Sequence, residues 1–131
     1  MKRTVLVIED NEQNLYLVTF MLENNGYEVV QARHGREGID LAGQVVPALI
    51  LLDIQLPGMD GYEVAQALRS KPALAEVPIV AVTSYAMVGD REHALAAGCT
   101  GYIEKPIHPE TFMTDIERYL SGGTHQEGSA L

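Results

Sequence analysis

The chain has 131 residues and a net charge of −9, with nine lysine and arginine residues against eighteen aspartate and glutamate residues. This acidic balance argues against nucleic acid or an anionic membrane surface as a partner, because both bind cationic surfaces. The length suits one domain, and no apolar stretch approaches the roughly 20 residues that cross a bilayer. The single cysteine, Cys99, excludes an intrachain disulfide. These features favour a cytoplasmic protein.

Strand-like and helical segments alternate along the chain. Three of the strand-like segments are continuously apolar, which is typical of parallel strands covered by helices on both faces. The predicted strands are residues 5–8, 28–31, 48–52, 79–82 and 101–103, and the predicted helices are residues 11–25, 35–44, 61–70 (with Asp60 as its cap), 89–97 and 109–120. Strict alternation predicts a doubly wound α/β domain over residues 1–120. The glycine-rich, polar segment 121–131 is expected to be a flexible tail.

Acidic residues directly follow two of the apolar strands. Glu9 and Asp10 come after the first strand, and Asp53 comes after the third. In doubly wound domains the carboxyl ends of the strands form the ligand-binding edge, so these side chains should meet there. Three carboxylates about 4 Å apart repel one another by several kcal/mol at intermediate dielectric. The pattern therefore predicts a bound cation or reactive chemistry at this edge.

The fourth and fifth strands end in residues that complement those carboxylates. Thr83 follows the fourth strand, and Lys105 follows the fifth. Hard oxygen ligands suit Mg²⁺, and a carboxylate can act as the nucleophile toward a phosphoryl group. Lys105 could neutralise phosphoryl oxygens while the Thr83 hydroxyl donates to one of them. The set favours magnesium-assisted phosphoryl transfer.

Four segments together resemble the receiver domain of two-component response regulators. They are residues 5–11 (VLVIEDN), 49–61 (LILLDIQLPGMDG), 79–84 (IVAVTS) and 98–106 (GCTGYIEKP), and the resemblance extends over residues 4–120. It implies a flavodoxin-like three-layer sandwich of five strand–helix units with parallel strand order 2-1-3-4-5. It also implies that a histidine kinase or phosphotransfer protein phosphorylates Asp53.

The resemblance further implies roles for the surrounding residues. Mg²⁺ would be bound by Glu9, Asp10, Asp53 and the backbone carbonyl of Gln55. Lys105 would contact the phosphoryl group, and the Lys105–Pro106 bond would be cis. Thr83 and Tyr102 would form the switch pair that reports phosphorylation.

The first predicted helix is apolar almost all round, although one buried stripe would suffice. Leu15, Val18 and Leu22 should face the sheet. Surplus apolar surface often marks a docking site. The predicted surface for docking the kinase or phosphotransfer protein comprises Asn14, Leu17, Phe20 and Met21. The alternative is that some of these residues cover the fifth predicted helix.

We expect a single-domain response regulator that is not an enzyme in its own right. Phosphorylation would alter a surface that binds a downstream protein or forms a homodimer, or the phosphoryl group would pass onward in a phosphorelay. Four alternatives stay open: a receiver domain of a hybrid kinase, an aspartyl-nucleophile phosphohydrolase, a flavodoxin-like cofactor binder, and a dimer-forming scaffold with this fold. A phosphohydrolase of the dehalogenase type would carry a second carboxylate two residues after the nucleophile, where this chain has Gln55.

Overall fold

Strands and helices alternate along the structure, a computed structural model that describes residues 2–84 and 88–121. The elements are β1 (Thr4–Ile8), α1 (Glu12–Asn24), β2 (Glu28–Ala32), α2 (Gly35–Val45), β3 (Leu49–Asp53), α3 (Gly61–Arg69), β4 (Ile79–Thr83), α4 (Asp90–Ala96), β5 (Gly101–Glu104) and α5 (Pro109–Leu120), with a short 3-10 helix, Pro72–Leu74, before β4. The predicted tail, apart from Ser121, lies outside the described residues. Every predicted element is present, and the predicted bounds are correct to within two residues.

The five strands form one parallel sheet in the order β2-β1-β3-β4-β5, which confirms the predicted fold class. In the register, Ile8 of β1 lies opposite Leu52 of β3, and Asp53 lies opposite Val82 of β4. The strands therefore end together, and the residues that follow them meet at one edge of the sheet.

Alternate strand residues enter different layers of the core. Along β1, Leu6 and Ile8 belong to the cluster that α2, α3 and α4 cover. Val5 and Val7 belong to the cluster that α1 and α5 cover on the other face. Burial on both faces explains why the central strands are continuously apolar.

Side chains at the carboxyl edge fix where several helices begin. The Asn11 side chain accepts a hydrogen bond from the backbone N–H of Asn14 at 2.9 Å, so Asn11 caps α1 and the helix begins at Glu12. Asp60 caps α3 as predicted, accepting from the N–H of Tyr62 at 2.9 Å. Such caps satisfy the amide groups that the first helical turn leaves unpaired.

Among the described residues, none of the helices combines the length and the apolar character that a membrane span requires.

Candidate functional site

Three carboxylates form a cluster where β1 and β3 end. Oxygen atoms of Glu9, Asp10 and Asp53 all lie within 4.8 Å of one another. Glu9 is 5% exposed and Asp53 is 3% exposed, whereas Asp10 faces solvent. Hard oxygen donors that combine buried and exposed positions fit Mg²⁺, which binds few carboxylates and keeps several waters. The clustering predicted from the strand ends is present.

Lys105 lies between the two buried carboxylates. Its Nζ is 3.1 Å from Oε1 of Glu9 and 3.4 Å from Oδ2 of Asp53. The Lys105–Pro106 peptide bond is cis, as expected. The backbone N–H of Lys105 donates to the carbonyl of Thr83 at 2.7 Å, which fixes the end of β5 against the end of β4.

One ammonium group does not neutralise both buried carboxylates. Burial, followed by the nearby charge of Asp53, raises the pKa of Glu9 to about 7. The backbone N–H of Asn11, 3.1 Å from Oε2 of Glu9, and the charge of Lys105 lower this pKa only in part. The excess negative charge favours a cation or a proton at the site.

Asp53 is held from two sides. Its Oδ1 accepts a hydrogen bond from the backbone N–H of Gln55 at 2.9 Å, and its Oδ2 faces Lys105. The N–H of Ile54 donates to the carbonyl of Val82 at 3.0 Å, which continues the β3–β4 pairing past Asp53. These contacts fix the direction of a carboxylate that could act as a nucleophile.

The side chain of Gln55 has a contact that the sequence analysis missed. Its Nε2 donates to the hydroxyl of Thr83, and its Oε1 accepts from the backbone N–H of Ser84 at 3.0 Å. From the sequence, Gln55 was expected to offer a backbone carbonyl to Mg²⁺, and its side chain was noted as an amide where a phosphohydrolase would carry a carboxylate. No sequence signal marks this contact, because it joins the loop after β3 to the end of β4, 28 residues away.

Tyr102 and Thr83 lie on the same face of the sheet. In β4, Ile79 and Ala81 belong to the layer that α4 covers, and the alternation places Thr83 on that side too. Tyr102, opposite Ala81 in the register, packs against the same layer and is half-buried. The guanidinium of Arg91 lies 5.5 Å from the centre of the Tyr102 ring.

The exposed face of α1 includes three of the four residues predicted for docking. Tyr16 is 72% exposed and Phe20 is 52% exposed, and their stacked rings lie 6.3 Å apart. Asn14 and Leu17 are partly exposed. The prediction that Met21 lies on this face is wrong. Met21 is 8% exposed and belongs to the core cluster between the sheet, α1 and α5, because α5 packs beside α1.

The chain belongs to the response regulator receiver domain family, whose model matches residues 5–117. Members of this class accept a phosphoryl group in two-component signalling, and they act with histidine kinases, phosphotransfer proteins and downstream targets. This membership decides against the phosphohydrolase and the flavodoxin-like cofactor binder as the identity of the chain.

The relatives include single-domain response regulators. The chain is 43% identical over 120 residues to the polar-differentiation response regulator DivK of Brucella anthropi, and the match covers 92% of this chain and 98% of DivK. A DivK of Brucella ovis matches with the same identity and coverage. This protein is thus similar along nearly its whole length to a stand-alone regulator.

Solved structures show the same fold. The chemotaxis protein CheY4 of Vibrio cholerae superposes with a TM-score of 0.86 at 30% identity, covering 90% of this chain and 98% of CheY4. The receiver domain of the sensor histidine kinase PA1611 of Pseudomonas aeruginosa matches with a TM-score of 0.85 at 31% identity, covering 93% and 100% of the two chains. That structure holds a magnesium ion coordinated in the active site cleft. Receiver domains bind Mg²⁺ at an acidic site, and the carboxylate cluster of this chain is of that kind.

Proposed function

We propose that Asp53 is the residue that accepts the phosphoryl group, from a histidine kinase or a phosphotransfer protein. The observation that carries the proposal is the setting of this carboxylate, which is buried, oriented by the N–H of Gln55 and faced by Lys105. A carboxylate oxygen of Asp53 attacks phosphorus in the donor phosphohistidine. The P–N bond breaks, and the imidazole leaves with its electron pair.

Lys105 and Thr83 assist by charge and hydrogen bonding. The ammonium of Lys105 neutralises phosphoryl oxygens, and the hydroxyl of Thr83 donates to one of them. Their places at the ends of β5 and β4, beside Asp53, support these roles.

Mg²⁺ would be held by Glu9, Asp10, Asp53 and the backbone carbonyl of Gln55. When bound, it would offset the repulsion between these carboxylates and an incoming phosphoryl group. The clustered oxygens and the raised pKa of Glu9 support a cation at this position.

Replacing Asp53 tests the proposal. Asp53→Asn should abolish labelling by a ³²P-phosphorylated kinase or by a small acyl phosphate, since an amide is a poor nucleophile toward phosphorus. Asp60→Asn is the matched control, because asparagine still caps α3 and labelling should stay at the wild-type level. Undiminished labelling of Asp53→Asn would contradict the assignment.

Phosphorylation would be read out through Thr83 and Tyr102. Movement of Thr83 toward the phosphoryl group would make room for Tyr102 to turn inward, which changes the surface of α4, β5 and α5. That surface would bind a downstream protein target or a second phosphorylated copy of the chain. The shared face of Thr83 and Tyr102 supports this coupling.

The protein would work in the cytoplasm as a regulator formed by residues 1–120, and it would turn over no separate substrate.

The exposed part of α1 would dock the phosphodonor protein. We define this docking surface as Asn14, Leu17 and Phe20, with Tyr16 stacked on Phe20. It lies on the helix that begins beside Asp10 at the acidic site. An apolar patch at that position suits a helical partner that must bring a phosphohistidine to Asp53.

A charge placed on the docking surface should slow phosphoryl transfer from a protein donor but not from a small-molecule donor. Phe20→Glu should slow transfer from a phosphorylated kinase or phosphotransfer protein by about tenfold, which corresponds to the loss of one apolar contact. Labelling by a small acyl phosphate should not change. Val45→Glu, another exposed apolar position at the far end of α2, is the control. Equal transfer rates for Phe20→Glu and wild type would exclude this surface.

A further inference from the structure

The amide group of Gln55 binds two consecutive residues at the end of β4. Its Nε2 donates to the hydroxyl oxygen of Thr83, and its Oε1 accepts from the N–H of Ser84 at 3.0 Å. Thr83 is buried, so water competes poorly for its hydroxyl. Both ends of one amide are therefore engaged with the last residue of β4 and the residue that follows it.

Gln55 is also anchored at its backbone. Its N–H donates to Oδ1 of Asp53 at 2.9 Å. A single residue thus connects the carboxylate at the end of β3 with Thr83 and Ser84 at the end of β4. Any displacement of Thr83 relative to Asp53 acts on the amide contacts of Gln55.

We propose that the Gln55 side chain is a clamp that holds Thr83 and Ser84 in the unphosphorylated arrangement and opposes their movement toward a phosphoryl group. This inference rests on the proposed roles of Asp53 and Thr83. In it, Gln55 is a positioning residue that acts through Thr83. The clamp sets how strongly a phosphoryl group must bind before the switch changes state.

The size of the effect follows from the hydrogen bonds that must break. The net contribution of one intramolecular hydrogen bond changes an equilibrium by about two- to tenfold. Two bonds are engaged here, and new contacts to the phosphoryl group replace part of what is lost. Removing the clamp should shift the balance toward the activated arrangement by on the order of tenfold.

The first measurement detects the clamp directly. Gln55→Met keeps the length of the side chain and removes both hydrogen bonds, so the Ser84 amide should exchange with solvent faster, by about fivefold, in NMR of the unphosphorylated protein. Gln31→Met is the matched control, because it removes another glutamine–threonine bond, from Gln31 Nε2 to Thr19 Oγ1 at 3.0 Å. Unchanged Ser84 exchange in Gln55→Met would overturn the proposal.

The second measurement tests what the clamp opposes. Beryllofluoride with Mg²⁺ mimics a phosphoryl group on an aspartate, and its binding can be followed by the Tyr102 ring resonances. Gln55→Met should bind it on the order of tenfold more tightly than wild type, and Gln31→Met should match wild type. Gln55→Asn has an amide that is one methylene too short to span both partners, so it should bind beryllofluoride as tightly as Gln55→Met. Agreement between the two variants shows that the effect does not come from a folding defect in one of them.

The outcomes separate the clamp from the proposed function. If wild type does not respond to beryllofluoride, both the phosphoacceptor role of Asp53 and the clamp are wrong. If wild type responds but the Gln55 variants bind with equal or weaker affinity, only the clamp is overturned.

Discussion

Glu9 is a buried carboxylate whose ionisation depends on its surroundings. Burial and the neighbouring charge of Asp53 raise its pKa from 4.5 to about 7. Without a bound cation, the folded protein therefore keeps a proton on Glu9 at pH values where an unfolded chain has released it. A carboxylate in this state makes the site sensitive to both protons and metal.

The raised pKa of Glu9 makes the stability of the cation-free protein depend on pH. Between 4.5 and about 7 the folded state binds more protons than the unfolded state, so the free energy of unfolding falls as the pH rises through this window. In a chelator, wild type should lose on the order of 2 kcal/mol between about pH 5 and about pH 8 relative to Glu9→Gln. Urea unfolding across that range measures the difference.

An exposed carboxylate is the control for the pH dependence of unfolding. Glu63→Gln on α3 should keep the pH slope of wild type, since Glu63 lies in solvent. If Glu9→Gln and wild type lose stability in parallel as the pH rises, Glu9 does not hold the proton.

The sequence predicts the position of some residues in the site but not the side-chain contacts of others. Asp53 could be placed because it directly follows a continuous apolar run in a parallel strand. The amide contacts of Gln55 could not, because they depend on a side-chain torsion and on how two loops approach each other. The spacing of apolar residues determines neither that torsion nor that approach.

At the scale of secondary-structure elements, the amino-terminal edge of the sheet is held by one arginine. The guanidinium of Arg69, at the end of α3, donates to the carbonyls of Leu74, Val77 and Gly98 at 2.7–2.8 Å and to that of Ala75 at 3.2 Å. These carbonyls precede β4 and β5. The arginine therefore fixes the entries to two strands at the edge opposite the acidic site.

Removing the Arg69 side chain should destabilise the protein without affecting phosphorylation. Arg69→Ala leaves several carbonyls without a donor and should lower the free energy of unfolding by about 3 kcal/mol. The fraction labelled by a small acyl phosphate should stay at the wild-type level under folding conditions, because Asp53 lies at the other edge. Denaturant unfolding and labelling of the same sample measure both quantities.

The control for Arg69 is an arginine in an ordinary surface pair. Arg36 lies 3.6 Å from Asp40 one turn along α2, with both side chains exposed. Arg36→Ala should change stability by no more than about 0.5 kcal/mol. Similar losses for the two variants would show that Arg69 is also only a surface residue.

In helix α1, the sequence predicted the residues that face the sheet but did not decide which residues face a neighbouring helix. The stripe of Leu15, Val18 and Leu22 followed from helical periodicity and is buried. Met21 follows the alternative that the sequence left open, since α1 packs on α5 as well as on the sheet and buries this side chain there. Strand β4 ends at the polar residue Thr83, one residue beyond the predicted end, because backbone pairing continues regardless of side-chain polarity.

At the scale of the whole molecule, the fold converts distant segments of the chain into one site. Strict alternation of strands and helices predicted a parallel sheet, and parallel strands bring their carboxyl ends to one edge. Alternation alone allows several strand orders. The order 2-1-3-4-5 was implied by the family resemblance, and the structure has it.

Chemical mapping of the modified side chain distinguishes Asp53 from the other carboxylates as the carrier of the phosphoryl group. Borohydride reduces an aspartyl phosphate to homoserine, so mass spectrometry of peptides from the reduced, phosphorylated protein locates the modified position. We predict homoserine at position 53 and aspartate at positions 10 and 60 in every peptide. Homoserine at position 10 or 60, with aspartate intact at position 53, would exclude Asp53 as the phosphoacceptor.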